Sequence, residues 1–340
     1  MHQKNSLMIF FHITKIHFVD DQFLPSFRSI GDLSDHSLQW LRISQIYSFS
    51  LRKDQQLTWT VYSSPSPSDI QQGILGDCWL LASLTLIAEQ PKILERIVLT
   101  KQVNEEGIYL IRICHNGLWK TVIVDDCFPC TKYNQLAYSQ ANRCQLYVPL
   151  IEKACAKLFG SYAELCGGHA EEGLQLLTGA PCDRIIINSE DEEFNSDLIW
   201  AKLLSACEFQ LLIGAATGRT DISENEYNHA HINTNHVFSI LAAHTLPTNS
   251  MRFVLVRDPH ATTDYREPLI TPIILVQLNS FLRSHLSSGA FWISWPVFLQ
   301  FFASITISSY ISDYYDVRQV AQFTQSSKEP IPAFHFYVPQ

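Results

Sequence analysis

Between Gln71 and Ser83 the chain reads QQGILGDCWLLAS, which sets one cysteine, Cys78, between a glycine-acid pair and a tryptophan where a glycine-bearing loop gives way to an apolar run. A thiol attacks a carbonyl only as thiolate, and the orphan N–H groups and dipole at a helix N-terminus favour that charge. Cys78 stands where such a helix would start. Gly73 and Gly76 allow a substrate to approach the backbone closely, and Gln72, six residues before the thiol, can offer its side-chain amide to an oxyanion. The chemistry suggested is acyl attack by cysteine. It requires a histidine base whose second nitrogen is held by an Asn or Asp, and thirteen histidines are available.

The elements that must position these groups follow from period and punctuation. Leu80, Leu81, Leu84, Ile87 and Ala88 suit a buried helix over Cys78 to Glu89, which Pro91 ends. Residues 107–126, GIYLIRICHNGLWKTVIVDD, alternate on both sides of Asn116-Gly117 and predict a hairpin. A second helix is expected over LYVPLIEKACAKLFG, with Leu150, Ala154 and Leu158 on one face and Gly160 closing its end. A short helix should follow the glycine pair Gly167 and Gly168. Beyond Cys182 the acidic SEDEEFNSD separates this half from the strand-like runs FQLLIGAA, HVFSILAAH, FVLVRD, FWISW and SITISSYI. The expected fold class is α+β, with a helical first lobe, a β-rich second lobe and a cleft between them where ligands would bind.

Composition narrows the setting. A chain of 340 residues with 46% hydrophobic content reads as globular and two-lobed, and a net charge of −9 offers no basic face for nucleic acid. Nine cysteines, an odd number between Cys78 and Cys207, argue for a reducing compartment rather than a disulfide framework. No apolar run reaches the roughly 18 residues of a membrane span, and the N-terminal run is interrupted by His12 and Lys15. The expectation is a cytoplasmic protein with no membrane span and no nucleic-acid partner. Cys127 and Cys130 of CFPC read as free thiols rather than zinc ligands, because His115 should point away from its neighbour Cys114. Asp125 and Asp126 read as a polar strand end or turn.

LGDCW resembles the cysteine signature of papain-type proteases, and QGILGDCWLLAS resembles the active-site segment of the calpains more closely. TVIVDDCFP, PLIEKACAKLFGSY with its following glycine pair, and GAFWISWPVFLQFF extend the likeness over roughly residues 18 to 315. VDDCFPC, LTGAPCDR and GAFW are most similar to the small-optic-lobes branch. The resemblance implies a two-lobed, papain-like calpain protease core: an N-terminal extension at 1–17, a helical lobe at 18–188 carrying the cysteine, a β-rich lobe at 189–318 carrying the histidine, and an extension at 319–340.

It also implies roles. His236 becomes the expected base, since HVFSILAA follows the calpain pattern and lies 158 residues after Cys78 (236 − 78), whereas His229 and His231 of NHAHIN read as loop residues. At the third position calpains carry an RNPWG-like segment; this chain reads VLVRDPHAT, with Asp258 for the asparagine and His260 for the tryptophan that shields the histidine in the family. The expected set is a Cys78–His236–Asp258 triad, with Gln72 and the Cys78 backbone N–H holding the oxyanion.

Calcium is implied as the cofactor, with Asp69 and a displaced Glu164 in the first lobe and Asp264 in the second, where the usual acidic pair is replaced by Ser288 and Ala290. The function so implied is a calcium-dependent intracellular cysteine endopeptidase acting on protein or peptide substrates. The alternative is a catalytically impaired calpain-fold scaffold or binding protein. A transglutaminase-type acyl transferase is weighed third, and the calpain-like flanks speak against it.

Overall fold

The computed structural model describes residues 16–32, 37–47, 58–188, 191, 194–258, 263–282, 289–311 and 316–318. In chain order its first half holds α1 (Phe27–Ile30), β1 (Gln39–Arg42), β2 (Ile70–Gln71), α2 (Cys78–Ala88), α3 (Pro91–Ile97), β3 (Ile108–His115), β4 (Leu118–Asp125), β5 (Cys127–Cys130), β6 (Gln140–Ala141), α4 (Tyr147–Phe159) and α5 (Ala170–Thr178). The helix headed by Cys78 is buried at every residue from Trp79 to Ala88, as a helix that is apolar all round must be. Pro91 does more than end it: as a first-turn proline it opens α3, where its missing N–H costs nothing. Asn116 and Gly117 both adopt positive φ, 51° and 72°, and this turn joins β3 to β4 in register from Ile108 opposite Asp125 to His115 opposite Leu118. Helix α4 lies against both hairpin strands with Leu150 and Ala154 buried, and Gly160, at φ 112°, closes it.

Asp125 is the last residue of β4 and Asp126 follows it, a polar strand end as expected, but one taken out of water. Asp125 is fully buried and forms an ion pair with the equally buried Lys153 of α4, while its carboxylate also accepts the N–H of Asp20 at 2.8 Å and of Cys127 at 2.9 Å. Asp20 in turn takes Lys157 at 2.6 Å, and Asp126 pairs with Arg42 of β1. Charges taken out of water survive only when their partners satisfy them, so this network fastens the segment that begins near Phe18 to the hairpin and α4.

The second half holds β7 (Cys182–Ile186), α6 (Ser196–Glu208), β8 (Leu212–Thr217), α7 (Glu224–Ala230), β9 (Val237–Thr245), β10 (Arg252–Arg257), α8 (Pro272–Ser280), β11 (Ala290–Ser294), α9 (Trp295–Phe301) and β12 (Phe302–Ser308). The strands form a six-stranded antiparallel sheet in the order β11-β10-β9-β8-β12-β7. The five strand-like runs of the sequence are β8 to β12. The sheet also takes up Cys182–Ile186 as an edge strand, and helices α6 to α9 interrupt it. His229 therefore lies on α7, not in a loop as expected, while His231 sits in the turn just past it as its left-handed C-cap.

The first half has one apolar core, centred on α2, α4 and the hairpin; the second has a larger one on the six-stranded sheet and a smaller one where Leu278 of α8 meets Phe253, Leu255 and Trp292. Helix α2 nevertheless packs against β8 and β9, with Leu86 at 3.4 Å from where a Cβ on Gly214 would stand. The described residues up to Tyr310 form one compact unit, and those from Ile311 onward belong to a second. No helix among the described residues is long and apolar enough to cross a membrane.

Candidate active site

Cys78 is the first residue of α2 and half-buried. Its loop is clamped from one side: Gly167 donates its N–H to the Gly76 carbonyl at 2.9 Å, and Trp79 Nε1 donates to the Leu165 carbonyl at 2.8 Å. Trp79 is thereby a packing residue, and Gly168 lies so close to its ring that a Cβ would stand 2.8 Å from it. A Cβ on Gly73 would meet the Ala137 and Tyr138 carbonyls at 2.2 Å. That glycine serves close packing within the protein, where the sequence suggested substrate approach.

The side chain of Asp77 leaves the first turn of α2 uncapped, so the helix start keeps N–H groups for an anion. Asp77 is instead fully buried against Glu152 of α4, whose carboxylate accepts the Ser139 N–H at 3.0 Å. Burial pushes Asp77 up to about 6 and Glu152 well above the ordinary carboxylate range. The two carboxyls share one buried site and titrate as a pair, and the charge of Asp77 acts on Cys78. Burial first, and that charge second, raise the Cys78 thiol above its ordinary value; the N–H groups of Trp79 and Cys78 pull it down but do not win. A helix start alone does not make this thiol a thiolate, which corrects the simplest reading of the motif.

Gln72 Nε2 donates to the Leu75 carbonyl at 2.7 Å. An amide nitrogen carries two hydrogens, so one stays available to a substrate oxygen while the other fixes the side chain.

His236 immediately precedes β9. Its N–H donates to Thr217 Oγ1 at 3.1 Å and its carbonyl accepts the Thr217 N–H at 2.9 Å, which suspends it from the end of β8. Its Nε2 lies 3.0 Å from Asp258 Oδ1, with side chains 13% and 0% exposed. Phe238 meets the ring edge-on, centroids 5.1 Å apart, and limits its exposure on that side. Asp258 follows β10, where a register shift between Leu255 and Val256 marks a bulge, a device that re-aims the residues after it. The carboxylate also accepts Asn233 Nδ2 at 3.2 Å, the Thr263 N–H at 2.8 Å and Thr263 Oγ1 at 2.8 Å. His260 lies outside the described residues, as does Ser288. Neither Asn233 nor Thr263 stood out in the sequence, because polar residues in turn-rich segments are too common to single out.

Glu89, just beyond α2, pairs with Arg257, the last residue of β10, with side chains 29% and 6% exposed. This ion pair links the helix headed by Cys78 to the strand that Asp258 follows.

The three expected calcium ligands lie apart in character. Asp69 is buried and occupied by Arg143 and by Gln145 Nε2 at 3.1 Å; Glu164 is exposed; Asp264 is exposed and pairs with Arg266 at 3.5 Å. Among the described residues no group of three or more His, Cys, Asp or Glu is placed to hold a metal ion. A cation at Asp69 would have to displace the Arg143 guanidinium, so the donor set as arranged does not fit calcium. Cys127 and Cys130 are buried free thiols, raised by burial to about 11 and about 12.

A family model described as "Calpain family cysteine protease" matches residues 18–309. The chain belongs to the calpain family of cysteine proteases. It is 32% identical over 307 residues to the calpain-type cysteine protease ADL1 of Oryza sativa subsp. japonica, covering 85% of this chain and 14% of that protein. The calpain-type cysteine protease DEK1 of Arabidopsis thaliana is 32% identical over 252 residues, 71% of this chain and 11% of that protein. The Calpain-1 catalytic subunit of Mus musculus is 28% identical over 316 residues, 87% of this chain and 42% of that protein. This calpain-family chain thus spans less than half the length of these relatives. The α+β fold of the described residues is that of a calpain protease core.

Proposed function

We propose that this chain is a cytoplasmic cysteine endopeptidase that hydrolyses peptide bonds of protein or peptide substrates through Cys78, His236 and Asp258, aided by Gln72. The observation that carries the reading is the 3.0 Å contact between His236 Nε2 and the buried Asp258 carboxylate. It supplies, from the altered RDPH segment, the histidine partner that calpain-type chemistry needs. With Asp258 accepting, Nε2 carries a proton and Nδ1 is the nitrogen that would take the thiol proton. The thiolate would attack the peptide carbonyl, and the second N–H of Gln72 and the Cys78 backbone N–H would hold the oxyanion. Imidazolium would then protonate the leaving amine, and water, activated by His236, would hydrolyse the acyl-enzyme.

The division into lobes at 18–188 and 189–318, and the small-optic-lobes likeness within the family, belong to this reading as well. Calcium is not written into the chemistry. The resemblance implies it, while Asp69 is held by Arg143, so the assay is run both with calcium and with a chelator.

Peptide hydrolysis by Cys78→Ala beside the parent tests the proposal. The variant should lose at least about 10³-fold in kcat. Equal hydrolysis by both would remove Cys78 as nucleophile, and a parent inert under both conditions would favour the scaffold.

A further inference from the structure

The two oxygens of Asp258 have different neighbours. Oδ1 accepts from His236 Nε2 at 3.0 Å, whereas Oδ2 accepts from Asn233 Nδ2 at 3.2 Å, the Thr263 N–H at 2.8 Å and Thr263 Oγ1 at 2.8 Å. A carboxylate, acceptor on both sides, serves all four donors. An amide of the same shape cannot. In an asparagine at 258 the single carbonyl oxygen must face the three-donor side, because the reverse sets an NH₂ group against a backbone N–H that cannot turn away. Its NH₂ group would then point at His236 Nε2 and force that nitrogen to accept. The imidazole proton would move to Nδ1, the atom that should receive the thiol proton.

We propose that Asn233 and Thr263 are positioning residues that fix the Asp258 carboxylate and hold His236 in its Nε2-protonated tautomer, so that this chain requires aspartate where its family resemblance leads one to expect asparagine. Asn233 is itself held in place, since its carbonyl accepts Thr217 Oγ1 at 2.7 Å, the same threonine from which His236 is suspended. Asn233 and His236, which both reach Asp258, are therefore braced by one residue of β8. The departure from the family at RDPH is matched by three donors, from two residues, that an asparagine could not serve together with His236.

The inference rests on the catalytic reading above, but its primary readout needs no turnover. Nitrogen-15 NMR of the histidine-labelled protein, with His236 identified by the signal lost in His236→Gln, reads the tautomer directly. The parent should be protonated at Nε2, and Asp258→Asn at Nδ1. In the same variant kcat should fall about 10²–10⁴-fold, as when a triad acid becomes an amide, with KM changed less than about threefold. Thermal unfolding of each variant establishes that it is folded; if Asp258→Asn is not, Thr263→Val, which keeps the carboxylate, should lower kcat with KM unchanged. An Asp258→Asn protein that stays protonated at Nε2 with parental kcat overturns the inference, as does a Thr263→Val protein indistinguishable from the parent. A parent that hydrolyses nothing overturns the catalytic reading, while the tautomer still decides this one.

Discussion

Burial and the neighbouring charge of Asp77 hold the Cys78 thiol above its ordinary value, against the pull of the helix N–H groups. In the proposed mechanism the thiolate depends on a histidine partner, and the charge of Asp77 works against it. Asp77→Asn should shift the pH midpoint of Cys78 alkylation downward, measured as iodoacetamide rate against pH; an unchanged or higher midpoint would count against the charge effect. The same variant should alter stability with a definite sign. A carboxyl raised from 3.8 to about 6 in the folded state contributes stability that is complete below pH 3.8 and is lost as pH rises through about 6. Urea unfolding of the parent should accordingly weaken between pH 4 and 6, and Asp77→Asn should flatten that slope. The motif alone made the helix start legible. It could not reveal the sign of the thiol shift, because that comes first from burial, and Glu152, beside which Asp77 is buried, lies on another helix far along the chain.

At the scale of elements, the strands were legible where apolar runs were bounded by turn residues: β8 to β12 and the β3–β4 hairpin follow directly from pattern. Helices α6 to α9 were not, because ENEYNHA and WPVFLQF are short and the latter sits between two strands without a polar break. The pair of Glu89 and Arg257 joins α2 to β10, and burial already pulls Arg257 down to about 10. Glu89→Gln removes that counter-charge from a buried guanidinium. It should cost about 1–3 kcal/mol in urea unfolding, below the 3–5 of a fully buried pair because Glu89 is 29% exposed. No loss of stability would show that the pair is a surface contact without structural weight.

For the whole molecule, the long calpain likeness points to Cys78, His236 and Asp258 as the proposed nucleophile, base and acid, and the structure brings His236 and Asp258 together at 3.0 Å. The calcium ligands implied by the same likeness were less legible in their environment. Nothing around Asp69 in SSPSPSD announced that Arg143 and Gln145, from a distant loop, would occupy it. Likewise the buried Asp125 and Lys153 pair depends on α4 crossing behind the hairpin, which period alone does not state. The central claim is that His236, held by Asp258, activates Cys78. Labelling with a peptidyl epoxide near pH 6, followed by intact mass and peptide mapping, tests it most directly. The account predicts a single adduct on Cys78 in the parent and a rate at least about 10²-fold lower in His236→Ala; equal rates in the two proteins, or an adduct on another of the nine cysteines, would contradict it.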